Sequence, residues 1–142
     1  MNKDTEELAN KLNKLDSSDK LNEFLEKELD VRAKDFKTYI TDIINLKGMT
    51  ITDLRKRSLI DRTYIYQIMD GRKKPGRDKV VAMCIACNLD LEETQKALMY
   101  SGNSELYVKS RRDSIIIFAI NNRLNVISTN DLLAKYEEPI LQ

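Results

Sequence analysis

Between Gly48 and Pro75 the chain reads GMTITDLRKRSLIDRTYIYQIMDGRKKP, and its punctuation leaves little freedom in local structure. Thr50 can cap a helix with Asp53 at the capping-box position, and Met49 with Leu54 supplies the apolar staple. Asp61 can cap a second helix, with Ile60 and Ile65 as its staple. Gly71, after Asp70, is a left-handed stop, and Pro75 prevents a quick continuation. Three kinds of signal agree on the same boundaries, so the segment is two short helices joined by a tight turn.

Helical periodicity extends on both sides. Leu8, Leu12 and Leu15 form a weak stripe, and Leu21, Phe24, Leu25 and Leu29 a stronger one after Ser18. Phe36, Tyr39, Ile40, Ile43 and Ile44 share one face of a helix stopped by Gly48. These stripes are expected to face a core. Val80, Val81, Met83, Cys84 and Cys87 predict a buried helix ending near Asn88, and Asp90 with Glu93 opens another that runs to about Tyr100. Ile115–Ile120 could pass for a buried strand, but no partner strand is visible, so a helix is expected there. A last one is expected after Ser128 or Thr129, containing Leu132, Leu133 and Tyr136.

With only four Gly and two Pro, and little β-branched alternation, the expected fold class is all-α, with six to eight short helices. A length of 142 residues suits one domain, or a small one with appendages. We expect an N-terminal helical arm over 1–35 and a central domain over 36–102. A helical extension over 103–142 would pack on the core or mediate dimerisation. No apolar run approaches the roughly 18 residues of a membrane span. With no secretory start and two cysteines, a cytoplasmic location is expected.

The net charge of +1 hides an uneven distribution. Residues 1–35 hold ten acids and seven bases, 36–79 five acids and eleven bases, and 80–142 eight acids and six bases. The positive field is therefore confined to the middle, as a phosphate-facing surface requires, with a solvated basic face as the plain alternative. On a helix starting at Asp61, Ile65 and Ile68 face inward and Arg62, Thr63, Tyr66 and Gln67 remain outside. Gln pairs bidentately with adenine and Arg with guanine, Thr bonds either way or touches a thymine methyl, and Tyr reaches phosphate. Phosphate contacts are expected from Thr50 at a helix amino terminus, from Arg55 and Arg57, and from Arg72, Lys73, Lys74 and Arg77.

Gly48, Thr50, Leu54, Ile65, Ile68, Gly71 and Pro75 stand at the positions that mark the helix-turn-helix of the lambda-repressor-like, XRE-type regulators of bacteria and phages, which this segment resembles. The resemblance covers about residues 36–100 and implies a five-helix DNA-binding core. By position, Arg62, Thr63, Tyr66 and Gln67 match the family's base-facing residues. It also implies a homodimer on double-stranded DNA, with recognition helices in major grooves about 34 Å apart. Four positions depart from the pattern: Ile51, Arg55, Leu59 in place of the turn glycine, and Met69. They predict an altered turn and a shifted recognition helix.

Cys84-Ile85-Ala86-Cys87 has the spacing of a redox or zinc motif, but the chain has no His and no other Cys. Both thiols are expected to pack in the core, with no metal and no cofactor. With no His, no Gly-rich phosphate loop and no nucleophile beside an obvious base, no enzyme is expected. The expected function is sequence-specific DNA-binding transcription regulation. The alternative is a protein-interaction module on the same scaffold, binding a kinase, toxin or phage factor, though such a partner has no need of the basic loop.

Overall fold

Seven consecutive residues, Val80 to Ala86, are buried on one short helix, and the rest of the fold is arranged around them. A helix apolar all round has no solvent face to offer and must be wrapped by others. The computed structural model describes residues 3–25 and 35–142. Among these it is all-helical, with nine helices and no strand. Residues 1–34 and 35–142 are two separate units.

In the first unit lie α1 (Lys3–Asn13) and α2 (Ser18–Phe24), the latter capped by Ser17 through the Lys20 N–H. Leu15 falls beyond the end of α1, and Leu29 lies outside the described residues. Leu12, Leu21 and Leu25 are exposed and Leu8 and Leu15 half-buried, so among the described residues these stripes are not enclosed by a core.

The second unit contains α3 (Phe36–Leu46), α4 (Ile51–Ser58), α5 (Arg62–Met69), α6 (Arg77–Ala86), α7 (Leu91–Tyr100), α8 (Arg111–Asn121) and α9 (Val126–Lys135). Helices α4, α7 and α9 pack on α6, and α3 joins α5 to α7. Tyr39 on α3 donates its hydroxyl to the Glu93 carbonyl at 3.1 Å and meets the Tyr100 ring edge-on at 5.0 Å. The expected caps form. Thr50 and Asp53 exchange bonds at 3.0 Å each way, Asp61 accepts from the Tyr64 N–H, and Asp90 pairs with Glu93.

Residues 103–142 pack on this core. Ile116, Ala119, Ile120, Val126 and Leu133 are buried. Gln95 holds Leu106 at both ends, Nε2 to the carbonyl at 2.8 Å and the N–H to Oε1 at 2.7 Å. The Ile115–Ile120 run is helical, with Phe118 exposed. Helix α9 begins at Val126, earlier than expected, because Asn125 caps it by accepting from the Ser128 N–H; Tyr136 lies just past its end.

The turn between α4 and α5 is the most informative departure. Leu59 adopts the left-handed conformation (φ 61°, ψ 21°) where the family pattern has glycine. The buried Ser58 hydroxyl holds both sides, donating to the Arg55 carbonyl and accepting from the Ile60 N–H, each at 3.3 Å. Leu59 therefore holds this left-handed conformation at a steric cost of about 1–2 kcal/mol.

Candidate nucleic-acid interface

The roll of α5 follows from its two isoleucines. Ile65 and Ile68 are buried, each contributing about 1.5–3 kcal/mol by leaving water. This turns Arg62, Thr63 and Tyr66 outward and leaves Gln67 half-buried. The Arg62 guanidinium lies 5.8 Å from the Tyr66 ring centroid, so these two form one stacked pair. Among the described residues the Gln67 side-chain amide has no partner, while the Gln67 backbone carbonyl accepts from the Lys73 N–H at 3.0 Å. That bond fixes the start of the basic loop to the end of α5.

Tyr64 was given no role by sequence reasoning, yet it organises the loop. The ammonium groups of Lys73 and Lys79 lie 5.8 and 5.7 Å from its ring centroid. Lys79 belongs to the basic block without having been singled out. The sequence signal for it is the charge surplus alone, since it stands 15 positions from Tyr64 on another helix.

Several expected phosphate contacts are otherwise engaged. Arg77 is held by the extension. It bonds both Asp113 oxygens (Nη1–Oδ1 2.9 Å, Nη2–Oδ2 2.7 Å) and the carbonyls of Ser104 and Glu105, each at 2.9 Å. It is an internal clamp, because a buried carboxylate outcompetes a solvated phosphate for a half-buried guanidinium. Arg72 is tied back to Asp70 at 2.6 Å. The Arg72 backbone N–H, at 3.0 Å, also holds the Asp70 carboxyl below the usual carboxylate range. A phosphate at Arg72 must displace that pair. At the start of α4, Thr50 accepts from the Asp53 N–H and gives its own N–H to the Asp53 carboxylate. The Thr50 backbone N–H keeps that carboxyl below its ordinary value, so α4 already carries an anion at its amino terminus and Thr50 has only a hydroxyl proton to offer.

Arg55 is half-buried on α4. Arg57 and Lys56 border a groove of about 210 Å³ with Leu59, Ile85 and Ile127, apart from the loop cations. Leu59 and Ile127 are 55% and 57% exposed, which makes this groove apolar at its mouth. The exposed loop cations beside α5 that carry no ion pair are thus Lys73 and Lys74, with half-buried Lys79 next to them.

Cys84 and Cys87 are buried free thiols in α6 and its cap. Burial pushes both upward, Cys87 to about 11 and Cys84 further. Among the described residues no group of three or more His, Cys, Asp or Glu is placed to hold a metal ion. Among the described residues no helix is long and apolar enough to cross a membrane.

Comparison with known proteins yields no relative. No family model matches the chain, and no curated protein and no solved structure matches it significantly.

Proposed function

We propose that this chain is a cytosolic, sequence-specific DNA-binding transcriptional regulator of bacterial or phage type. In this reading α4, the Leu59 turn and α5 are a repressor-like helix-turn-helix, and α5 lies in the major groove of double-stranded DNA as part of a homodimer. The supporting observation is the outer face of α5. Buried Ile65 and Ile68 fix its roll, and Arg62, Thr63 and Tyr66 stand outward beside an unpartnered Gln67 amide and the Lys73–Lys74 loop. A helix about 10–12 Å across fits a major groove about 12 Å wide. Gln67 has the donor and acceptor pair that reads adenine, and Arg62 the fork that reads guanine. Lys73, Lys74 and Lys79 then neutralise backbone phosphates, which sets affinity without specifying sequence.

The apolar mouth formed by Leu59 and Ile127 favours a second reading, a protein-interaction module on the same scaffold. Binding measurements on defined DNA duplexes separate the two. Gln67→Ala should cost about 1–3 kcal/mol at its preferred site only. Lys74→Gln should weaken binding to every duplex and flatten the salt dependence by about 0.9 per phosphate lost. Equal losses from both changes on all duplexes would rule out base reading by Gln67.

A further inference from the structure

A cleft of about 360 Å³ opens behind the basic loop, between the start of α3, the end of α5 and the end of α7. That size lies within the roughly 300–1,000 Å³ of small-molecule sites. Phe36, Ile68, Met99 and Tyr100 give it an apolar lining, and Lys37, Lys73 and Lys74 supply the positive charge. Neither Lys37 nor Lys74 has an ion-pair partner among the described residues. The one carboxylate present, Asp35, accepts from the Thr38 N–H at 2.7 Å, and that bond holds it below the usual carboxylate range. Its charge is spent largely on the amino terminus of α3.

We propose that this cleft binds a small amphipathic organic anion, an aromatic or aliphatic body with a single carboxylate. The body would sit against Phe36, Met99 and Tyr100, and the head group between Lys37 and Lys74. Three lysines against one aspartate leave the charged end of the cleft positive and attract an anionic head group, while the apolar lining takes the body. The cleft carries no arginine fork, so recognition is by charge and shape, and the ligand is defined by class. A consequence rests on the DNA-binding reading above: Lys74 cannot serve a ligand and a phosphate together, so the anion would weaken DNA binding.

The test is a titration of the full chain, without DNA, with 1-naphthylacetate and its neutral twin 1-naphthylacetamide. Methyl NMR signals of Met99 and Ile68 report occupancy. Saturable shifts at both residues, with the acetate at least about tenfold tighter than the amide, are expected. That preference should vanish in Lys37→Gln/Lys74→Gln. Equal affinities, no saturation, or shifts centred on the Leu59–Ile127 groove would overturn the site. Because no DNA is present, this result is independent of whether the chain binds DNA. Adding the acetate to a DNA complex then tests the antagonism alone, and an unchanged DNA affinity overturns that consequence while the site stands.

Discussion

Arg77 and Asp113 lie 36 positions apart in sequence and meet in a bidentate pair, with Nη1–Oδ1 at 2.9 Å and Nη2–Oδ2 at 2.7 Å. Their neighbours repeat the arrangement. Arg112 grips Asp78 at 3.0 and 2.9 Å, so the first turns of α6 and α8 each give one arginine and one aspartate to the other. Asp78 also accepts from the Gln142 N–H, and Arg112 donates to the carbonyls of Pro139 and Ile140. This crossed clamp fastens the extension to the helix that follows the basic loop.

Removing one partner leaves the other charge largely buried and unpaired. Asp113→Ala is expected to cost about 3 kcal/mol in urea unfolding, and Arg77→Ala a similar amount. Their combination should cost at least about 1 kcal/mol less than the sum. Strict additivity would mean that the pair is not coupled.

On the proposed DNA-binding reading, the same pair predicts a salt response. Since Arg77 faces Asp113, Arg77→Gln should leave the salt slope unchanged under conditions where the variant is folded. Lys74→Gln should lower the slope by about 0.9. A flattened slope for Arg77→Gln would return Arg77 to the phosphate contacts.

Burial pulls the Asp113 carboxyl upward, but hydrogen bonds from Arg77 and the Tyr107 N–H, with the charges of Arg77 and Arg112, outweigh it and leave it below its ordinary value. In the unfolded chain the group titrates near about 3.9. Below that value the unfolded state binds the proton first, so the stabilisation is complete above it and is lost as pH falls toward the folded value. The stability difference between the wild type and Asp113→Asn should therefore be constant above about pH 5 and shrink below about pH 4. A difference that does not change with pH would contradict the assignment.

This clamp marks the limit of what the sequence disclosed. The helices of 36–100, their caps and the buried cysteines follow from local patterning, because caps and staples are made by residues three to five apart. Arg77 was counted with the loop cations because nothing local tells a guanidinium facing water from one facing a carboxylate 36 residues later. Thr50 and Arg72 are engaged for a related reason: Asp53 and Asp70, legible as a cap and a helix end, also compete for the same charge. Lys79 and Tyr64 meet only once α5 and α6 are in place. Leu59 shows the converse, since its residue type argued against a conformation that Ser58 and the surrounding core impose.

Replacing Leu59 by glycine removes the left-handed strain, about 1–2 kcal/mol, and adds back about 0.4–1 kcal/mol of unfolded-chain entropy. Because the side chain is more than half exposed, little burial is lost. Leu59→Gly should raise stability by about 0.5–1 kcal/mol, visible as a higher thermal midpoint. A loss of stability would mean that Leu59 contributes packing its exposure conceals.

Desolvation raises Cys87 to about 11, above the roughly 8.5 of a free thiol. Between those values the folded state keeps a proton that the unfolded state releases, so stability should fall as pH rises through that window, and less so in Cys87→Ala. Alkylation of both thiols near neutral pH should follow global unfolding. Rapid labelling of the native protein would contradict their burial.

The central claim is that the outer face of α5 reads bases. It is tested most directly by selecting random double-stranded DNA with the purified full chain at physiological salt, alongside Arg62→Ala/Gln67→Ala. The account predicts an enriched two-fold symmetric motif with half-sites one helical turn apart, absent from the variant's selection. Weak, salt-sensitive binding with no enriched sequence, or the same motif from both proteins, would contradict it.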